Sequence, residues 1–79
     1  MDREQFILKL ILLGASKNKT YAPYAPYDWY ELNNTIWIGI NEHYIKYLGK
    51  RYPVKAGDDV LTYVLRRMDR QSALRSLHG

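Results

Sequence analysis

The chain has 79 residues, a net charge of +4 at pH 7 and no cysteine. This length predicts one small domain, 1–79, of modest stability. The lack of cysteine excludes a disulfide framework and a thiolate zinc site. The longest apolar run, 6–13, is broken by Lys9 and is too short to cross a membrane. We therefore expect a cytoplasmic protein, in the host cytoplasm if a phage encodes it, with no membrane partner.

The first predicted element is a helix over 3–13, with Asp2 as its N-cap and Gly14 at its C-terminal end. Leu8 and Leu12 lie one turn apart, away from the broad apolar face of this helix. Either the helix is buried nearly all round, or these two leucines form an exposed contact patch. The residues of the broad apolar face are Phe6, Ile7, Leu10, Ile11 and Leu13.

The connection over 15–27 repeats tyrosine at every third position and contains two prolines. Polyproline II has three residues per turn, so the tyrosines would align as one stripe that continues to Tyr30. The stripe either seals the edge of the core or binds a partner. Tyr21 and Tyr24 are the partner-binding candidates in this segment.

The segment 28–48 predicts a three-stranded antiparallel meander with tight turns at Asn33–Asn34 and Asn41–Glu42. Its strands are expected over 28–32, 35–40 and 43–48. A strand has a period of two residues, so the alternating isoleucines of the second strand share one face, which should be the core. These isoleucines are Ile36, Ile38 and Ile40.

A second helix is predicted over 59–71, after Tyr52–Pro53 breaks the strand pattern and Asp58 provides an N-cap. Its apolar face is opposite a face that carries Tyr63 and three arginines. The pattern breaks after Gln71, so 72–79 is a tail that either leaves the helix or makes a separate contact. We expect its leucines to share one interface with those of the first helix, as an intramolecular lid or across a homodimer. The four leucines are Leu8, Leu12, Leu74 and Leu77.

The expected fold is therefore α+β, with the order helix, three-stranded antiparallel meander, helix, and with both helices on one face of the sheet. This order is that of double-stranded-RNA-binding domains, which place a lysine pair where Asp58 and Asp59 stand here. The run 44–52 followed by a helix resembles the last strand and helix of phage integrase arm-binding domains. Each likeness covers only part of the pattern, so neither family is assigned.

Positive charge is concentrated in the last third of the chain. The net charge is +2 over 1–27, −2 over 28–49 and +4 over 50–79. Cations neutralise phosphates and aromatic rings stack bases, so this pattern favours nucleic-acid binding, although cross-strand aromatic pairs and solvated arginines also explain it. The candidate residues are Lys46, Lys50, Arg51, Lys55, Arg66, Arg67, Arg70, Trp37 and Tyr44.

Catalytic and metal sites have little support in the sequence. His43 lies in a predicted turn, His78 lies beside the C-terminus, and neither is paired by pattern with a nucleophile. The carboxylates and histidines lack metal-ligand spacing. We expect a binding module that is not an enzyme and has no cofactor, metal or small-molecule substrate. Its partner would be nucleic acid or an acidic protein surface; the alternative function is a protein–protein module, such as a phage- or plasmid-encoded inhibitor of a host protein.

Overall fold

The computed structural model describes residues 1–18 and 27–78, with side chains in the last helix described up to Ser72. Its strands pair antiparallel in one five-stranded sheet of order β1-β2-β3-β4-β5. The α+β class with helices flanking the sheet is confirmed, but the predicted three-stranded meander is wrong. The elements are α1 (Arg3–Leu12), β1 (Ser16–Asn18), β2 (Asp28–Leu32), β3 (Ile36–Ile40), β4 (Tyr44–Tyr47), β5 (Lys50–Pro53), a 3₁₀ turn (Val54–Ala56) and α2 (Gly57–His78).

The fifth strand corrects the prediction that the sheet ends near Gly49. Leu48 and Gly49 both have positive φ, 50° and 77°, as the two central residues of a type I′ hairpin turn do. The chain reverses there, and β5 pairs with β4 from Tyr47↔Lys50 to Tyr44↔Pro53. Because Pro53 ends an edge strand, its missing N–H does not interrupt the sheet.

The first strand also extends the predicted meander. Its three residues are polar and have little strand propensity, so the sequence pattern indicates only a loop. Pairing with β2, from Ser16↔Glu31 to Asn18↔Trp29, is what makes this segment a strand. The chain therefore does not have the order of helix, three strands and helix. That predicted order was the basis of the resemblance to double-stranded-RNA-binding domains.

The core lies on the isoleucine face of β3. Ile36, Ile38 and Ile40 are at most 2% exposed, as the alternation predicts. Both helices contribute to the same buried cluster, so they cover the same face of the sheet. The other members include Phe6 and Leu10 from α1, Tyr30 and Leu32 from β2, Ile45 and Tyr47 from β4, and Val60, Leu61 and Val64 from α2.

The first helix is capped as predicted but is only partly buried. The side chain of Asp2 accepts a hydrogen bond from the backbone N–H of Gln5, and Gly14 has a φ of 103° just beyond the helix. Leu8 is 59% exposed and Leu12 is 77% exposed. Burial nearly all round is therefore wrong, and these leucines are exposed.

The second helix is longer than predicted at both ends. It begins at Gly57, so Asp58 lies in its first turn and is not the N-cap. A Cβ on Gly57 would lie 2.9 Å from the ring of Phe6, which explains a glycine at this close approach. The helix continues to His78, so the tail extends α2. Because the side chains of Leu74 and Leu77 lie outside the described residues, the interface predicted for them with α1 stays a prediction.

Replacing Ile38 by alanine should lower the free energy of unfolding by about 2–5 kcal/mol, because Ile38 is fully buried between the sheet and the helices. The matched control is Leu12→Ala, which should change it by less than about 0.5 kcal/mol because Leu12 is exposed. Chemical denaturation measures both values. Equal effects of the two substitutions would contradict the described core.

Candidate nucleic-acid interface

Aromatic and basic side chains share the sheet face opposite the core, called here the open face. Trp29, Gly39 and Lys46 lie in one cross-strand row, which Arg51 extends on β5. Trp37 and Tyr44 alternate with buried residues of their strands and lie on the same face. Both helices pack on the core face, so over residues 1–18 and 27–72 no helix lies on the open face.

A glycine allows an aromatic surface to form at the centre of the open face. The ring of Trp29 lies over Gly39, where an added Cβ would be 3.1 Å from the ring. The ring of Tyr27 lies beside it, with the two centroids 6.1 Å apart. The alternation of β2 predicts that Trp29 faces away from the core, but Tyr27 lies outside the strand and no pattern places it here.

Two cations of the open face lie over aromatic rings. The Arg51 guanidinium carbon is 4.5 Å from the centroid of the Tyr44 ring, and the Lys46 Nζ is 5.9 Å from that of Tyr27. Both distances are within the range of cation–π attraction. Because a guanidinium is planar, Arg51 stacked on Tyr44 keeps its other face available for a second flat group, such as a base.

The arginines of α2 lie on the other side of β5. Arg66 and Arg70 are exposed and Arg67 is half-buried. Together with Tyr47, Leu48 and Tyr63 they line a concavity of about 230 Å³, called here the arginine pocket. Neither Tyr47 nor Leu48 was predicted to be near a site, because the pocket depends on the unpredicted β4–β5 turn.

The edge strand joins these two groups of cations. Lys50 pairs with Tyr47 and shares its side of the sheet, whereas Arg51 pairs with Lys46 on the open face. Lys55 lies apart, in the 3₁₀ turn at the opposite end of β5 from Lys50. The predicted basic cluster is therefore two surfaces around one edge strand, without Lys55.

Acidic residues neutralise the other end of the molecule. Asp28 pairs with Arg3 at 3.0 Å and with Lys17 at 3.8 Å, and Asp58 lies 3.8 Å from Lys9. All three paired cations belong to α1 or β1. Among the described residues, none of the predicted nucleic-acid-binding cations takes part in an ion pair, so positive charge remains around β5 and α2.

The predicted partner-binding residues do not form one described surface. Leu8 and Leu12 are exposed on α1, and Leu12 contributes to a largely apolar concavity of about 440 Å³ between the two helices. Its other apolar walls are Leu13, Leu61 and Leu65. Tyr21 and Tyr24 lie outside the described residues, as do the side chains of Leu74 and Leu77. Of the predicted stripe, Tyr30 is in the core and Tyr27 is on the open face.

The described residues offer no alternative metal site. None of their histidines and carboxylates forms a group of three that could hold a metal ion. His43 is exposed, in a turn where the Asn41 side chain accepts from two backbone N–H groups. None of the helices in the described ranges is long and apolar enough to cross a membrane.

Comparison with protein-family models, with curated protein sequences and with solved structures finds no match to this chain. The geometry of the open face and of the arginine pocket is therefore the basis for assigning a function. Among the described residues, that geometry combines cations that form no ion pair with aromatic rings on one face of the sheet.

Replacing Leu48 by asparagine should raise the free energy of unfolding by about 1 kcal/mol. Leucine is disfavoured at positive φ, whereas asparagine tolerates it, and the Leu48 side chain is 64% exposed and contributes little packing. The control Leu48→Ala also shortens the side chain but lacks the amide that lets asparagine tolerate positive φ, so it should give no such gain. If asparagine stabilises no more than alanine does, the turn does not strain the leucine.

Proposed function

We propose that this protein binds single-stranded nucleic acid around β5 and acts as a binding module rather than an enzyme. The observation that carries the proposal is the pair of cations that lie over aromatic rings of the open face, led by Arg51 on Tyr44 at 4.5 Å. Proteins that bind single strands combine a basic track for the backbone with aromatic or guanidinium planes for the bases.

Phosphates and bases would have different partners on this surface. Lys46 and Arg51 supply positive charge on the open face, and neither of them forms an ion pair among the described residues. Trp37 and Tyr44 supply rings beside them. Every base has a flat face, so such a surface binds unpaired bases with little sequence preference. A duplex keeps its bases stacked inside and offers only its phosphates.

A fluorescent oligonucleotide should bind in about 50 mM salt and should lose affinity steeply as salt is raised, because bound cations release counterions from the strand. The double variant Lys46→Gln/Arg51→Gln should weaken binding about tenfold or more. It should also reduce the slope of log affinity against log salt by about 0.7 for each phosphate that the variant no longer neutralises. Fluorescence anisotropy measures both quantities.

The matched control is Lys9→Gln/Lys17→Gln, which removes the same net charge from the acidic end of the molecule. It should change affinity much less than the variant on the open face. Equal losses would mean that net charge alone attracts the strand. Tighter binding of duplex than of single strand would contradict the stacking part of the proposal, and no binding in about 50 mM salt would contradict all of it.

A contact with protein is the second candidate function, and the exposed leucines of α1 favour it. Leu12 is 77% exposed beside an apolar concavity, and an exposed apolar patch of this kind marks contact surfaces. A second copy of the chain would bring the same patch to a two-fold interface.

Replacing Leu8 and Leu12 by glutamate should convert a dimer formed through this patch to a monomer without loss of folding, because both side chains are exposed. Sedimentation velocity measures the mass of the wild type and of the variant. A wild-type protein that is monomeric at high concentration, or a variant with unchanged dimer mass, would contradict self-association through α1.

A further inference from the structure

The arginine pocket contains two buried donors that lack partners. Tyr47 is only 2% exposed, and its hydroxyl is buried without a hydrogen-bond partner. The Nε of Arg67 is buried and unpartnered in the same way. Both residues line the pocket. Buried polar groups are normally satisfied, and an orphaned one requires an explanation such as a missing ligand.

The Tyr47 hydroxyl is held in its protonated form. Desolvation raises its pKa above the ordinary value for tyrosine, the positive charge of Arg67 lowers it in part, and Tyr52 raises it. A protonated hydroxyl can donate as well as accept, and arginine side chains have only donors. An acceptor in the pocket would therefore meet several donors.

Positive charge in the pocket is also uncompensated. Arg66 and Arg70 are one helical turn apart, a spacing at which like charges repel. Among the described residues, no carboxylate pairs with Arg66, Arg67 or Arg70. A bound anion would relieve this repulsion and would satisfy the buried donors. Because Arg66 and Arg70 are exposed on long side chains, they can move to admit a ligand and then close over it.

We propose that the arginine pocket binds a phosphate group of the nucleic acid, with the Tyr47 hydroxyl and the Arg67 guanidinium as donors. Phosphate has several acceptor oxygens, and arginine binds it through paired N–H groups. Leu48 and Tyr63 would form apolar walls for the attached sugar or base. This inference rests on the proposed function, because the phosphate belongs to the strand bound around β5.

The phosphate has two sources in a strand, a terminal monoester and an internal diester. The experiment compares single-stranded oligonucleotides with a 5′-phosphate, with a 3′-phosphate and with neither. The variant is Tyr47→Phe, which removes only the hydroxyl. The matched control is Tyr30→Phe, which removes a tyrosine hydroxyl from β2, outside the open face and the arginine pocket.

Loss of one hydrogen bond to a charged group corresponds to about a tenfold loss of affinity. If Tyr47→Phe causes this loss only for one phosphorylated end, the pocket binds a terminal phosphate. If it weakens all three oligonucleotides equally and Tyr30→Phe does not, the pocket binds an internal phosphate. Either result supports the inference.

Thermal unfolding separates a ligand-binding hydroxyl from a structural one. Removing an unpartnered buried hydroxyl should leave the melting temperature of Tyr47→Phe unchanged or higher. A lower melting temperature would show that the hydroxyl has a partner within the fold, and it would overturn the inference. Wild-type affinity of Tyr47→Phe for all three oligonucleotides would also overturn it, while the proposed function would stand.

A titration with inorganic phosphate tests the pocket without nucleic acid. The Arg67 Nε–H resonance of the wild-type protein should shift on titration and should shift less in Tyr47→Phe. If phosphate shifts this resonance but no oligonucleotide binds, the pocket holds phosphate and the proposed function fails. If neither ligand has an effect, both proposals fail.

Discussion

Burial of the β3 isoleucines is the interaction on which the rest of this structure depends. Three side chains on one face of a central strand are covered by both helices, and the rest of the buried cluster packs around them. Since strand residues alternate between faces, the same constraint sends Trp37 and Gly39 to the opposite face. The core and the candidate interface are two consequences of one alternation. The register of β2 and β4 with β3 places their residues on the same two faces, one toward the core and one on the open face.

The edge strand β5 carries basic residues on both faces of the sheet. Its alternation places Lys50 beside the arginine pocket and Arg51 on the open face. An edge strand exposes unpaired backbone groups, and charged side chains there also discourage pairing with another sheet. The same lysine and arginine can thus protect the edge and attract a polyanion. Acidic partners at the α1 end leave the charge around β5 unbalanced.

Alternation and turn residues were sufficient to predict the centre of the fold. The bounds of β2, the inward isoleucines and the positive φ of Asn33 and Asn34 follow from local rules, although the loop before β3 also includes Thr35. The edge strands could not be predicted in this way. The residues 16–18 form a strand only because β2 is available to pair with them. Rules for two-residue hairpin turns expect asparagine or glycine at the position of Leu48, so they do not identify this turn.

The candidate site was predicted only where it depends on local pattern. Trp37, Tyr44 and Lys46 were candidates from the sequence, and the alternation of their strands places them on the open face. The arginine face of α2 follows from helical spacing, but its proximity to Tyr47 depends on the β4–β5 turn and on how α2 crosses the sheet. Tertiary packing sets that proximity, so no local sequence pattern predicts it. The exposure of Leu12 likewise depends on where α2 packs against α1.

The most direct test of nucleic-acid binding around β5 is a chemical-shift map. A ¹⁵N-labelled sample of the protein is titrated with a short single-stranded oligonucleotide at low salt. The account predicts that the largest backbone shifts fall on β4, β5 and the segment of α2 near Arg67, while Leu8 and Leu12 are unaffected. Shifts confined to the groove between α1 and α2, or no shifts at saturating oligonucleotide, would contradict it.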